Sequence, residues 1–220
     1  MDAVLSEAAA EDYIGGICFK TGPPRRVGVE LEWLVRDRGD PTACVPPERL
    51  EAALAPLFAP GALPGGGRLT WEPGGQLELS SAPGDSVAHC LALTSADLAL
   101  VRRVLGEEAG AVLYGRGLDP YRSPGRVLDT PRYRAMEAYF DRGGPWGRVM
   151  MRATAALQVS LDAGDDSDGP TGFRHRWTLA HRLGPVLVAA FANSPVWQQR
   201  PTGWMSTRQS IWARMDPPRT

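Results

Sequence analysis

The chain has 220 residues and a formal net charge of −1 at pH 7, enough material for one large domain or two small ones with a real core. A near-neutral balance gives no electrostatic footing for nucleic acid or an anionic membrane surface, and no apolar run approaches the roughly 20 residues of a membrane span. Cys18, Cys44 and Cys90 have no CxxC or metal spacing and read as reduced thiols. Met1 is followed by acidic residues and alanines rather than a basic and then apolar leader, so the expected compartment is the cytoplasm.

In chain order, residues 2–18 read as a helix ending near Gly15-Gly16, followed by the breaker Thr21-Gly22-Pro23-Pro24. Residues 25–37, RRVGVELEWLVRD, alternate: Val27, Val29, Leu31, Trp33 and Val35 share one parity, and Gly28, Glu30, Glu32 and Leu34 the other. That is a strand with one apolar face. Residues 47–58 read as a short helix opened by proline, and GALPGGG as a loop. TWEPGGQLELSS, 70–81, brackets a Pro-Gly-Gly turn with Glu72 and Glu78. After the turn, Gln76, Glu78 and Ser80 alternate with Leu77 and Leu79. The stretch is either the wall of a polar cavity, with glycines that let the backbone approach a ligand, or an exposed hairpin with a solvated Glu.

Pro83-Gly84-Asp85 opens a helix over 85–108, with Asp85 as cap. Its stripe of Val87, Leu91, Thr94, Leu98, Val101 and Leu105 should pack on the sheet. Residues 111–115 form a short strand. Thr130-Pro131 starts a helix that turns Tyr133, Met136 and Phe140 inward and ends at Gly143-Gly144-Pro145. MMRATAALQVSLD, 150–162, alternates throughout and reads as a second strand, with Arg152, Thr154, Gln158 and Ser160 on its polar front. AGDDSDGPTG lacks the ligand spacing of a calcium loop and reads as solvated. Residues 172–192 form a helix kinked at Gly184-Pro185. The tail, GWMSTRQSIWARMDPPRT, is polar and arginine-rich.

Glu30 and Glu32, two apart on one strand, lie on the same face about 6–7 Å apart. Such carboxylates need an arginine or a divalent cation to offset their repulsion. If the strand of Glu72 and Glu78 is a neighbour, four acids in one cavity suit magnesium; without a His or Cys cluster, zinc does not fit. The alternative is a set of surface ion pairs with the many arginines. Arg132, Arg152, Arg208 and Arg214 are suited to carboxylate and phosphate capture, and acids, magnesium and arginines together suit phosphoryl transfer from a nucleotide. Gly65-Gly66-Gly67 lacks the Lys-Ser/Thr of a phosphate loop. His89, His175 and His181 have no nucleophile partner in the sequence and read as surface or core residues.

VGVELEWLV, LTWEPGGQLELSSAP, PRYRAM, MMRATAALQVSLD, VAAFANSP and STRQSIWARMDPPRT occur here in that order. Together they resemble the plant-like glutamate–cysteine ligases, and ICFKTGPPRRVGVELEWLV resembles the actinobacterial branch that feeds ergothioneine synthesis. The resemblance implies an α+β, glutamine-synthetase-like fold: a curved antiparallel sheet forming a funnel, with helices packed outside. It also implies ATP-dependent joining of the L-glutamate γ-carboxylate to the amine of L-cysteine through an acyl phosphate, with Mg2+ clamping the phosphates. Carried over by motif, Glu30, Glu32, Glu72 and Glu78 hold metal. Glu30, Glu78 and Arg208 act in catalysis, and Arg132, Thr154, Arg208 and Trp212 line the substrate pocket. Gln158 joins them by strand alternation, and Arg214 is assigned to phosphate. Family members continue well beyond the equivalent of Thr220, so residues 1–220 are expected to be the N-terminal portion of one catalytic domain, with an incomplete funnel. Two other readings stay open: a related carboxylate–amine ligase using another amine, and a remnant that binds glutamate or a partner half.

Overall fold

A computed structural model describes residues 6–19, 22, 24–122 and 125–215. It is an α+β arrangement around an open antiparallel sheet. Residues 1–5, Thr21, Pro23 and the end of the tail, named above, lie outside the described residues.

The central strand is β1 (Val27–Asp37). It pairs antiparallel with β3 (Leu77–Ser80), which pairs in turn with β2 (Arg68–Trp71). The last third of β1 pairs with β4 (Ala111–Tyr114), and its first half with β5 (Leu157–Leu161). The registers set the two faces. Thr70, Glu78 and Glu32 stand in one cross-strand row, and Arg68, Ser80, Glu30 and Gln158 in the next. Side chains alternate along a strand, so the intervening rows carry Leu69, Leu79, Leu31 and Leu157, and Trp71, Leu77 and Trp33. One face is thus polar and acidic, and the other apolar.

The apolar face is covered by α2 (Pro47–Leu54), with a 3-10 turn at Ala55–Phe58, and by α3 (Val87–Glu108). Leu54, Leu77, Leu79, Val101 and Leu105 form the fully buried centre, each such side chain being worth about 1.5–3 kcal/mol. The α3 cap is Ser86, whose hydroxyl accepts from the His89 amide at 3.1 Å, not Asp85. Asp85 instead reaches toward Arg26, 3.8 Å away. The buried stripe is also rotated from the expected one. Cys90, Thr94, Asp97, Val101 and Leu105 face the core, while Val87 and Leu91 are exposed. Asp97 is accommodated because its carboxylate accepts from the amides of Gly65 and Gly67. A Cβ on Gly65 would lie 2.2 Å from the Leu93 carbonyl oxygen. The triple glycine therefore docks a loop onto α3, with a carboxylate where a phosphate loop would hold phosphate.

α1 (Glu7–Cys18) is capped by Ser6 and runs through Gly15-Gly16 instead of stopping there. α4 (Pro131–Phe140) starts with the expected Thr130 cap. The largest departure follows. Residues 150–162 are not one strand: α5 (Trp146–Ala153) occupies the first part, and only Leu157–Leu161 is β5. Trp146, Val149, Met150 and Ala153 satisfy a helical period as well as alternation does. Packing on Leu118 and Ile211 of α7 (Thr207–Met215) decides for helix. α6 (Phe173–Phe191) is continuous through Pro185. A two-residue hairpin, β6 (Val196–Trp197) and β7 (Arg200–Pro201), precedes α7.

Candidate active site

A cavity of about 1110 Å³ opens beside the polar face. β1 contributes Glu32, and the turn after β2 contributes Glu72. Gly115, Arg116 and Gly117 follow β4, while α4 presents Arg132, Tyr133 and Met136. The α5–β5 junction supplies Thr154 to Gln158, and α7 brings Arg208 and Trp212.

The acids are held from several directions. Glu32 accepts from the Ala156 amide at 2.9 Å and from the Gln158 side chain at 3.2 Å. Burial raises its pKa above the ordinary carboxylate range; Glu78 adds to this, and the Ala156 amide and Arg208 oppose it. Glu78 stands directly across from Glu32 and accepts from the Thr70 and Ser80 hydroxyls, at 2.9 and 3.1 Å. Glu72 is pushed up to about 7, first by burial and then by Glu78 and Glu32, with Arg132 opposing. Glu30 adds a smaller push in the same direction, so four carboxylates share one field, and the ordinary remedy is a cation.

The four acids do not form one shell. Glu32 and Glu72 line the large cavity, whereas Glu30, facing Ser80 and Gln158, lines a separate cavity of about 260 Å³ with Ser81, Ser160 and Asp162. Among the described residues, no group of three His, Cys, Asp or Glu is placed to hold a metal ion. Magnesium does not require one, because it is commonly held by one or two carboxylates together with substrate phosphates and water. The Glu32–Glu78 pair, with the raised pKa of Glu72 beside it, fits that donor set.

Arg208 is the cationic counterpart. Its guanidinium lies 4.3 Å from the Trp212 ring. Its Nε is buried without a hydrogen-bond partner, and burial lowers its pKa while Glu32 raises it. Its position comes from a motif whose role the sequence did not reveal. The Asn193 side chain accepts from the Gly117 amide at 3.0 Å, and the Ser194 hydroxyl accepts from the Arg208 amide at 3.1 Å. Asn193-Ser194 therefore ties the wall after β4 to the first turn of α7.

Several expected positions take other roles. Thr154 lines the cavity, but it follows α5 rather than sitting on a strand, and its hydroxyl donates to the Met150 carbonyl at 2.7 Å. Its own carbonyl accepts from buried Gln76 at 2.7 Å. The glycine turn meets protein, not a ligand: a Cβ on Gly74 would sit 2.0 Å from the Arg152 carbonyl oxygen, and Gly75 has φ +82°. Arg152 pairs with Glu137 on α4. Arg214 is outside the cavity lining, with its guanidinium 4.4 Å from the Trp146 ring. Arg116 and Tyr133 also line the cavity. Arg116 was missed because a charged residue between two glycines reads as an ordinary turn. Tyr133 faces inward as expected, onto the cavity.

Residues 26–220 match the sequence profile of glutamate-cysteine ligase family 2. The chain is 42% identical over 215 residues to glutamate–cysteine ligase EgtA of Mycobacterium tuberculosis, covering 97% of this chain and 48% of that protein. It is 41% identical over 214 residues to glutamate–cysteine ligase EgtA of Mycolicibacterium smegmatis, covering 96% and 48%. It is 35% identical over 154 residues to the chloroplastic glutamate–cysteine ligase of Arabidopsis thaliana, covering 69% and 28%. The chain spans about half the length of the mycobacterial relatives. A profile match across nearly the whole chain, falling on the same strands and helices that build the cavity, places this chain in glutamate-cysteine ligase family 2.

Proposed function

We propose that these 220 residues form the N-terminal portion of a single catalytic domain that joins the γ-carboxylate of L-glutamate to the amine of L-cysteine at the expense of ATP. The open sheet would be one part of a glutamine-synthetase-like funnel, in a cytoplasmic enzyme feeding ergothioneine synthesis. The observation that carries the reading is Glu32 and Glu72 on the wall of a cavity that Arg132 and Arg208 also line, with Glu78, outside that lining, paired across the sheet from Glu32.

Glu32 and Glu78 would hold magnesium, with Glu72 beside them and Glu30 in the next row. When bound, the ion neutralises phosphate charge and draws electron density from the γ-phosphorus. The glutamate γ-carboxylate oxygen attacks that phosphorus and ADP leaves. The cysteine nitrogen then attacks the acyl carbon, phosphate departs, and the amine proton is released. Arg208, desolvated and braced on Trp212, presents a rigid fork to a substrate carboxylate, with Arg132 as a second cation. Gln158 orients Glu32. Thr154 contributes hydroxyl lone pairs while its proton serves Met150. Arg214 would reach phosphate only by leaving Trp146, which makes it the weakest of these assignments.

Titration of this chain with glutamate and Mg-ATP by calorimetry tests the reading, with Glu32→Ala as control. Metal-dependent nucleotide binding that weakens in the variant is expected. Glutamate binding with no metal-dependent nucleotide binding would replace the ligase with the glutamate-binding remnant. Product release with other amines but not cysteine, in an ADP-release assay of the assembled enzyme, would replace cysteine with another amine.

A further inference from the structure

Glu137 follows Met136 on α4 but lies outside the cavity lining, and it is 8% exposed. A carboxylate is almost never buried without partners, and this one has three arginines. Arg126, from the segment before α4, donates to its Oε2 at 2.8 Å. Arg148 and Arg152, both on α5, approach its Oε1, Arg148 at 3.3 Å. Arg126 and Arg148 also have outer carboxylates, in Asp129 and Asp141. Arg152 has Glu137 as its one acidic partner among the described residues. Its Nε is buried without a hydrogen-bond partner, so Glu137 is what compensates its charge.

The segments tied by this carboxylate build different walls of the cavity. The amides of Val127 and Leu128, directly after Arg126, donate to the Pro73 carbonyl at 2.7 and 3.4 Å. A Cβ on Gly75 would lie 3.2 Å from the Val127 side chain, so this segment rests on the turn that carries Glu72. Arg152 presents its carbonyl to Gly74 of the same turn, and its neighbours Met150, Met151 and Thr154 line the cavity. α4 itself supplies Arg132 and Tyr133. A buried ion cluster is a poor device for stability, because desolvation offsets the attraction and apolar side chains of similar volume do as well. Charge-assisted bonds to arginine do fix direction as well as distance. We infer that Glu137 is a positioning residue of the site: it clamps α4, α5 and the Glu72 turn to one another, so that Arg132 and Glu72 meet a ligand already set in place.

The inference rests on the ligase reading, and its test separates the two by using one readout with ligand and one without. Glu137→Gln keeps the volume and removes the charge, but it strands Arg152 and lowers stability. Its companion is therefore Glu137→Leu with Arg152→Met, in which apolar side chains replace the pair and the urea midpoint should return close to that of the parent chain. Calorimetric titration with L-glutamate in the presence of Mg-ATP should show binding about tenfold weaker in both variants, because the groups that meet the ligand are no longer held in register. Leu105→Ala, destabilised through the other apolar centre, should bind as the parent does. Amide exchange of the ligand-free double variant should quicken about tenfold at Val127 and Gly75 and stay within about twofold of the parent along α3. Parent-like affinity in the double variant, affinity that follows the urea midpoint across all three variants, or exchange that quickens equally in α3 overturns the inference. If the parent chain binds neither glutamate nor Mg-ATP, the ligase reading falls. Exchange at Val127 and Gly75 then decides by itself whether Glu137 clamps these walls.

Discussion

Glu78 and Glu32 face each other across adjacent strands, and this sets what each acid can do. Glu78→Gln keeps the volume and leaves Thr70 and Ser80 a polar partner, so the melting temperature should move by no more than a few degrees. Magnesium-dependent nucleotide binding should fall at least tenfold by calorimetry; unchanged binding would remove Glu78 from the metal site. Glu72 gives a pH signature. Its folded pKa is about 7 against an ordinary 4.5, so between those values the folded state retains a proton that the unfolded state has lost. Stability is then highest below about pH 4.5, as far as this one group is concerned, and falls as pH rises to about 7. Urea denaturation across that window should show the slope, and Glu72→Gln should flatten it. Of the site, the acids and Arg208 were legible as chemical types at strand and motif positions. That Glu30 lines a different cavity was not, because one strand face extends past the rim of one pocket.

Two contacts between elements carry more weight than their exposure in the sequence suggests. Arg36 on β1 and Asp119 after β4 form an ion pair with both side chains fully buried, and Arg122 approaches the same carboxylate at 3.4 Å. Asp119→Ala would leave Arg36 buried and uncompensated, at a cost of roughly 3–5 kcal/mol readable from the urea midpoint. Nothing in the sequence marked this pair, since its members are 83 residues apart. Gly74 is the other. A Cβ there would lie so close to the Arg152 carbonyl that Gly74→Ala must move backbone, costing roughly 1–3 kcal/mol and loosening the Gln76–Thr154 bond beneath the cavity. Thermal denaturation, with calorimetric titration of the surviving folded protein, checks both effects. Strand β1 and the α4 cap were readable because alternation and Thr-Pro are local signals. The α5–β5 split was not, because alanine and methionine fit either period.

The molecule has two apolar centres with different duties. One, around Leu77, Leu79, Val101 and Leu105, joins sheet to helices. The other, around Leu118, Val149, Ala153 and Ile211, seats α7 and hence Arg208 and Trp212. Leu105→Ala should cost roughly 2–5 kcal/mol and leave ligand affinity per folded molecule intact. Ile211→Ala should cost a similar amount and also weaken glutamate binding several-fold, because it frees the helix that aims Arg208. Equal ligand affinity in the two variants would show that α7 does not position the site.

The sequence by itself determined the polarity of β1 and β3, the Thr130 cap of α4, and the order of motifs that identifies the family, since each depends on neighbours along the chain. Only the tertiary structure decided which strands became adjacent, which carboxylates face one another, and that residues 146–153 coil into a helix. Pairing register and packing are settled by side chains distant in sequence, and those meet only when the sheet has formed.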